Sequence, residues 1–185
     1  MFPMITTLEE LHRVRKLVSG AKQRLAKEGK RFADVPIGLM VEVPAAAISI
    51  DSMLPQVDFV SIGSNDLVQY LMAADRDNPK VAHLCQPLAP AVLRVLTDVV
   101  RKCNAAGRTV TVCGEMAGQP RAFALLLGMG VRSFSMSPAF IPYIKECGKH
   151  LSIADAEKIL QHALTLHTTG RVKHYLTEQL KRLSP

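Results

Sequence analysis

Short apolar runs alternate with longer segments of helical periodicity along the whole chain, and this alternation restricts the possible folds more than any other feature. The runs predicted as strands are 1–5, 37–43, 58–64, 109–113 and 133–136. Helices are predicted at 8–29, 44–54, 65–72, 90–106, 120–129, 138–149, 153–166 and 170–183. Strict alternation of this kind is typical of a parallel α/β fold. A closed β/α barrel has eight strands and typically about 250 residues, so we expect the C-terminal part of a TIM-type barrel, with about five strands.

The composition predicts one globular domain over residues 1–185. Hydrophobic residues make up 48% of the chain and charged residues 21%, which is ordinary for a domain that buries its own core. No apolar run is long enough for a transmembrane helix, and the first residues lack the pattern of a signal peptide. The four cysteines form no zinc-type cluster, so we expect reduced thiols in the cytoplasm.

The basic excess is concentrated at the start of the chain. The formal net charge is +7, and residues 1–32 hold eight Lys or Arg against three Asp or Glu, a net of +5. A basic segment can bind nucleic acid, but this one has no aromatic interleaving apart from Phe2 and Phe32. We therefore interpret it as a solvated helix face, and predict neither a nucleic-acid partner nor a membrane partner.

Three of the predicted strands carry polar residues near their C-terminal ends. Glu42 lies in an otherwise apolar or glycine-containing strand, and Asn65 and Asp66 follow the next. Cys113 ends the fourth strand, and Glu115 follows two residues later. Strands buried on both faces should be almost entirely apolar. In β/α barrels the C-terminal strand ends carry the active site. We therefore expect Glu42, Asp66 and Cys113 to face one shared cavity.

Each candidate has a chemical and a structural interpretation. Glu42 and Asp66 could bind a hard cation such as Mg²⁺, or Glu42 could pair with an arginine, and the turn at Asn65 could be an anion site or an ordinary N-cap. Arg76 could bind a phosphate or pair with the aspartates on either side of it. Cys113 could act as a general acid or base, or be a small core residue.

Five short motifs occur in an order that resembles the phosphoenolpyruvate-utilising enzymes. They are EVPAA at 42–46, IGSNDLVQY at 62–70, DRDN at 75–78, CGEMAG at 113–118 and FSMS at 134–137. Their order and spacing are most similar to the C-terminal domain of the enzyme I family of the bacterial phosphotransferase system, from the first residue to about residue 166. Ser64 and Gln119 differ from the threonine and aspartate common in that family.

The resemblance implies a role for each candidate residue. Glu42 and Asp66 match the family's Mg²⁺ ligands. Asn65, together with Asp66, matches the pair that contacts phosphoenolpyruvate, and Arg76 matches a phosphate-binding arginine. Cys113 matches the residue that protonates the enolate of pyruvate. The implied cofactor is Mg²⁺, and the implied substrate and product are phosphoenolpyruvate and pyruvate.

The resemblance also implies what the chain lacks. No Gly-Gly-x-x-Ser-His type motif is present, so the phosphohistidine domain that passes the group to a phosphocarrier protein is expected upstream, and the first barrel strands are missing. We expect this chain alone to be inactive in phosphotransfer and to form a homodimer. The alternatives are a relative of phosphoenolpyruvate synthase or pyruvate phosphate dikinase, or a non-catalytic oligomerisation module.

Overall fold

The computed structural model describes residues 1–183 and contains a four-stranded parallel sheet. The strands pair in the order β1-β2-β3-β4. Their bounds are β1 (Gly38–Val41), β2 (Phe59–Gly63), β3 (Thr109–Cys113) and β4 (Ser133–Ser135). All three pairings are parallel, so the C-terminal strand ends lie at one edge of the sheet.

Helices connect the strands and extend beyond the last one. They are α1 (Leu8–Lys27), α2 (Pro44–Ile48), α3 (Ile50–Met53), α4 (Ser64–Leu71), α5 (Pro90–Ala105), α6 (Pro120–Met129), α7 (Ile141–Lys149), α8 (Ile153–Thr165) and α9 (Thr169–Leu183). Short 3₁₀ turns occur at Leu54–Gln56, Ala82–Leu84, Glu115–Gly118 and Pro138–Phe140. None of the helices within residues 1–183 combines the length and apolar character that a membrane crossing requires.

The two surfaces of the sheet differ in chemistry, as the alternation within the strands predicts. Leu39, Val41, Val110 and Val112 point to one surface and are buried in the core beneath the helices. On β3 the intervening residues are less buried than the two valines. On that second surface Thr111 donates a hydrogen bond to Ser133 at 3.0 Å. The helices therefore cover one surface well, and the polar side chains gather on the other.

The prediction of a strand at 1–5 was wrong. Phe2 forms one parallel bridge with Leu39, through hydrogen bonds from its N–H to the Gly38 carbonyl and from the Met40 N–H to its own carbonyl, both 2.9 Å. Pro3 has no N–H to donate, and Met4 has a φ of 54°. The ladder cannot continue through these residues, so the described sheet has four strands instead of the five predicted.

The predicted helix at 44–54 is interrupted at Ser49. Its φ and ψ are −97° and 19°, between α2 and α3, and its hydroxyl donates to the Ala45 carbonyl at 2.7 Å. Serine hydroxyls that bond to nearby backbone groups compete with the helical ladder. The remaining predicted helices and strands are present with shifts of a few residues at their ends. The parallel α/β class is therefore confirmed, whereas membership of a closed TIM-type barrel stays a prediction.

Close contact between α6 and α8 gives a direct test of the packing. A Cβ built on Gly128 of α6 would lie 2.3 Å from the Ala156 carbonyl oxygen, whereas one on Gly20 of α1 meets nothing within 4 Å. We expect Gly128→Ala to lower the free energy of unfolding by about 2 kcal/mol through overpacking. Gly20→Ala should raise it by about 1 kcal/mol, since alanine favours the helix. Urea unfolding of both variants measures the difference, and equal stabilities would contradict this packing.

Candidate functional site

Glu42 is a buried carboxylate at the end of β1. The residue is 3% exposed, and its Oε1 accepts a hydrogen bond from the Met4 N–H at 2.8 Å. Across the β1–β2 pair, a Cβ built on Gly63 would lie 2.6 Å from the Glu42 Oε2. A buried charge is tolerated only with compensating partners. Glycine at position 63 is therefore what leaves room for this carboxylate at the strand edge.

Cys113 lies on the other side of Gly63. The β2–β3 register pairs Gly63 with Cys113. The Cys113 thiol accepts from the Ser61 hydroxyl at 3.6 Å and donates to the Ile62 carbonyl at 3.3 Å. The Ser64 hydroxyl donates to the Cys113 carbonyl at 2.6 Å. Glu42 and Cys113 thus approach Gly63 from neighbouring strands, and hydrogen bonds hold the thiol close to the backbone of β2.

Asn65 is held in place by the turn that follows β3. Its Oδ1 accepts a hydrogen bond from the Glu115 N–H at 3.0 Å. Gly114 has φ 93° and ψ −173°, a conformation essentially restricted to glycine, and a Cβ there would lie 2.8 Å from the Asn65 Oδ1. Because Oδ1 is the acceptor, the Nδ2 of the amide points the other way and can donate to an anion.

Arg76 and Asp66 form an ion pair. The Arg76 Nη1 lies 3.0 Å from the Asp66 Oδ1, and the Arg76 N–H donates to the Gln69 Oε1 at 3.2 Å. The aspartate that pairs with this arginine is thus the one on α4, not the neighbours Asp75 and Asp77. The two side chains are 40% and 35% exposed, and such a pair contributes only about 0–1 kcal/mol to stability. The pair orients the guanidinium more than it stabilises the fold.

A cavity of about 330 Å³ opens beside this strand edge. Its lining includes Asn65, Arg76 and Glu115. A neighbouring cavity of about 370 Å³ shares Asn65 and Glu115 with it. Neither lining contains Glu42, Asp66 or Cys113, so the shared cavity expected for those three groups stays a prediction.

The donor set for a metal at this edge is small. Within residues 1–183 no group of three or more His, Cys, Asp or Glu side chains is arranged to hold a metal ion. The carboxylates at this edge are those of Glu42 and Asp66, which the resemblance implies as ligands, and that of Glu115 in the cavity lining. Mg²⁺ is commonly bound through one or two carboxylates and completes its octahedron with water and substrate oxygens. The available donors fit that mode of binding, and they do not fit a closed all-protein cage such as a structural zinc site.

The thiols differ in environment. Burial, with a smaller contribution from Asp51, raises the pKa of Cys103 to about 12, and burial also raises the pKa of Cys147. Cys103 is therefore a core residue, as its position on the apolar face of its helix indicates. Cys85 lines the 330 Å³ cavity, a position that no sequence pattern predicts.

The predicted site residues have other hydrogen-bond partners besides Met4, Ile62 and Ser64. Ser61, Gln69 and Glu115 hydrogen-bond to Cys113, Arg76 and Asn65 respectively. Ser61 shares its strand direction with Gly63, two residues on, so period two along the strand could have placed it on the same side. Gln69 and Glu115 depend on a loop and a turn whose paths the sequence pattern does not define.

The fold and this edge define an α/β domain in which polar side chains collect at the carboxyl ends of parallel strands, where such folds bind their ligands. The chain belongs to the family described as "PEP-utilising enzyme, PEP-binding domain", whose family model matches residues 1–153.

Three similar proteins share one name. The chain is 42% identical over 177 residues to the phosphoenolpyruvate-protein phosphotransferase of Bacillus sp. (strain S), covering 95% of this chain and 31% of that protein. It is 41% identical to the Bacillus subtilis protein of the same name and 39% identical to that of Haemophilus influenzae, covering 98% and 97% of this chain and 32% of each of those proteins. The chain thus spans about a third of the length of these transferases.

A solved structure supports the fold. The crystal structure of a citrate lyase from Burkholderia xenovorans LB400 superposes with a TM-score of 0.56 at 20% identity, covering 95% of this chain and 60% of that one. At this identity the likeness concerns the fold alone.

The turn at Gly114 gives a test of how the site is held. We expect Gly114→Ala to lower the free energy of unfolding by at least about 2 kcal/mol, because the new Cβ would combine a forbidden backbone conformation with the contact at Asn65. Gly107→Ala is the matched control. Its φ is +66° and nothing lies within 4 Å of a Cβ there, so about 1 kcal/mol is expected. Equal losses of unfolding free energy in the two variants would contradict the close approach of Gly114 to Asn65.

Proposed function

We propose that this chain is the phosphoenolpyruvate-binding domain of a phosphoenolpyruvate-protein phosphotransferase and acts in the cytoplasm. In this proposal it binds phosphoenolpyruvate with Mg²⁺, places the phosphoryl group for transfer to a histidine elsewhere in the protein, and protonates the enolate that remains. The proposal rests on where four residues lie. Asn65 and Arg76 line one cavity, at the strand edge where Glu42 and Cys113 flank Gly63.

Substrate binding requires positive charge and hydrogen-bond donors, because phosphoenolpyruvate carries a phosphate and a carboxylate. Arg76 supplies a planar guanidinium that suits bidentate contact with phosphate. Its ion pair with Asp66 is half exposed, so a bound phosphate can share the guanidinium at small cost. The hydrogen bond from the Glu115 N–H holds the Asn65 Oδ1 towards the turn after β3. The Asn65 amide nitrogen therefore faces away from that turn and can donate to the substrate.

Glu42 and Asp66 would hold the Mg²⁺. When bound there, the ion would supply positive charge where negative charge develops as the phosphoryl group departs. Glu42 is fixed in orientation by the Met4 N–H and by the narrow space beside Gly63. A carboxylate that is already desolvated and oriented loses little conformational freedom when it becomes a ligand.

Cys113 would complete the reaction by acid catalysis. The bond between phosphorus and the bridging oxygen breaks, the phosphoryl group goes to the histidine nitrogen, and the electron pair stays on the enolate. The enolate carbon then forms a C–H bond with the thiol proton of Cys113 and leaves a thiolate. Ser61 donates to that sulfur and can stabilise the thiolate, since a hydrogen bond to the charged form favours it.

Phosphotransfer to a phosphocarrier protein would require the histidine that this proposal assigns to the rest of the protein. We also propose that the protein forms a homodimer. Relatives named phosphoenolpyruvate-protein phosphotransferase are about three times as long as the match to this chain, which leaves ample length for a phosphohistidine domain.

Isothermal titration calorimetry tests substrate binding. Phosphoenolpyruvate should bind in the presence of Mg²⁺ and not after its removal with a chelator. Arg76→Gln should weaken binding at least about tenfold, roughly 1.4 kcal/mol, because a charged hydrogen bond to phosphate is lost. The control is Arg94→Gln, an exposed arginine on α5, which should bind as the wild type does. Binding that is independent of Mg²⁺, or equal weakening by both variants, would contradict the proposal.

Proton exchange on pyruvate tests the role of Cys113 separately. In D₂O with Mg²⁺, the wild-type chain should exchange the methyl protons of pyruvate for deuterium, because the thiolate can remove the proton that the thiol delivers. Cys113→Ser should slow this exchange at least about a hundredfold, since general acid–base groups contribute about that much or more, and still bind phosphoenolpyruvate. Cys103→Ser should exchange normally. NMR follows the methyl signal. Exchange that survives in Cys113→Ser would exclude the thiol from the reaction.

A further inference from the structure

Another cavity, of about 560 Å³, shares Cys85 with the proposed substrate cavity of 330 Å³. The segment 85–88, the start of α6, Tyr143 of α7 and two residues of α9 form its lining. Its volume falls within the range typical of small-molecule sites, about 300–1,000 Å³. The cavity is therefore large enough to hold a compound bigger than the three-carbon substrate proposed above.

The charged groups that residues 1–183 contribute to the 560 Å³ cavity are all of one sign. Arg121, the second residue of α6, and Lys173 of α9 are in its lining, to which the described part of the chain adds no aspartate or glutamate. Lys173 is half buried and donates to the Gln86 side-chain oxygen. That neutral partner leaves the positive charge of Lys173 available to an anion. Two cations in a concave site raise the local concentration of anions.

The other part of the lining is apolar. Leu88, Pro120 and Leu180 contribute to it, together with the aromatic ring of Tyr143. Tyr143 is 58% exposed, which is high for a large aromatic residue on a helix. Small-molecule sites typically combine such apolar walls with a few polar groups that set orientation. A free inorganic anion would make no use of these walls, whereas an anion with an apolar body would bury them.

We propose that this cavity binds an amphiphilic organic anion, that is, a compound with a carboxylate, sulfonate or phosphate group attached to an apolar body. The anionic group contacts Arg121 and Lys173, and the body lies against Leu88, Pro120 and Tyr143. Cys85, Pro87 and Gln119 line both this cavity and the 330 Å³ cavity. An occupant would thus touch residues that also line the proposed substrate cavity without entering that cavity. The inference rests on the lining of the 560 Å³ cavity and is independent of the proposed function.

Titration with 8-anilinonaphthalene-1-sulfonate, an anion with an apolar aromatic body, tests the site through its fluorescence. The folded protein should bind one probe molecule per chain in a saturable manner. Arg121→Gln and Lys173→Gln should each weaken binding about fivefold or more. The matched controls are Arg94→Gln on α5 and Lys16→Gln on α1, which remove the same charge from exposed positions elsewhere and should change binding less than twofold.

Two further measurements distinguish this cavity from the proposed substrate cavity and from a simple anion site. Arg76→Gln should leave probe binding unchanged, because Arg76 lines the 330 Å³ cavity and does not line the 560 Å³ cavity. Inorganic phosphate should compete weakly, since it cannot use the apolar wall. Non-saturable binding, equal weakening by all four charge variants, or no effect of Arg121→Gln and Lys173→Gln would overturn the proposal. Circular dichroism of each variant establishes that any loss of binding occurs in a folded protein.

Discussion

The register of three parallel strands around Gly63 determines which side chains meet at the carboxyl edge of the sheet. Val41 pairs with Ile62 and Gly63 pairs with Cys113, so Glu42, which follows β1, and the last residue of β3 meet at one glycine. Any side chain at 63 would occupy the space of the Glu42 carboxylate. A shift of one residue in either pairing would turn these side chains to the opposite surface of the sheet. The strand pairing thus sets the chemistry of the edge.

The alternation of apolar and polar residues was enough to predict which polar residues lie at the C-terminal ends of the strands. Buried strands should lack carboxylates, so Glu42 stood out, and the parallel class requires Cys113 to end at the same edge as Asn65. The hydrogen bond from Glu115 to Asn65 and the positive φ of the glycine at 114 explain physically why those residue types occur together. The resemblance of five motifs is confirmed by the family match. The residue roles that the resemblance implies stay predictions.

Other features depended on contacts that a linear pattern does not carry. The segment before α1 reads as a strand by composition, but Pro3 cannot donate and the Met4 N–H is used by a carboxylate 38 residues away. Arg76 has an aspartate on each side in sequence, and its partner is instead Asp66 on α4. In both cases a long-range polar partner overrides the local preference. The lining of the cavities depends equally on loops, whose paths periodicity does not predict.

The proposed function requires that Glu42 and Asp66 together hold a Mg²⁺ ion that contacts phosphoenolpyruvate beside Cys113. A crystal structure of the chain with Mg²⁺ and phosphoenolpyruvate tests this arrangement. One carboxylate oxygen from each residue should lie about 2.0–2.1 Å from the ion, and the phosphate should lie within hydrogen-bond distance of Arg76. An ion coordinated elsewhere, or a substrate bound away from Asn65 and Arg76 while Glu42 contacts only Met4, would contradict it.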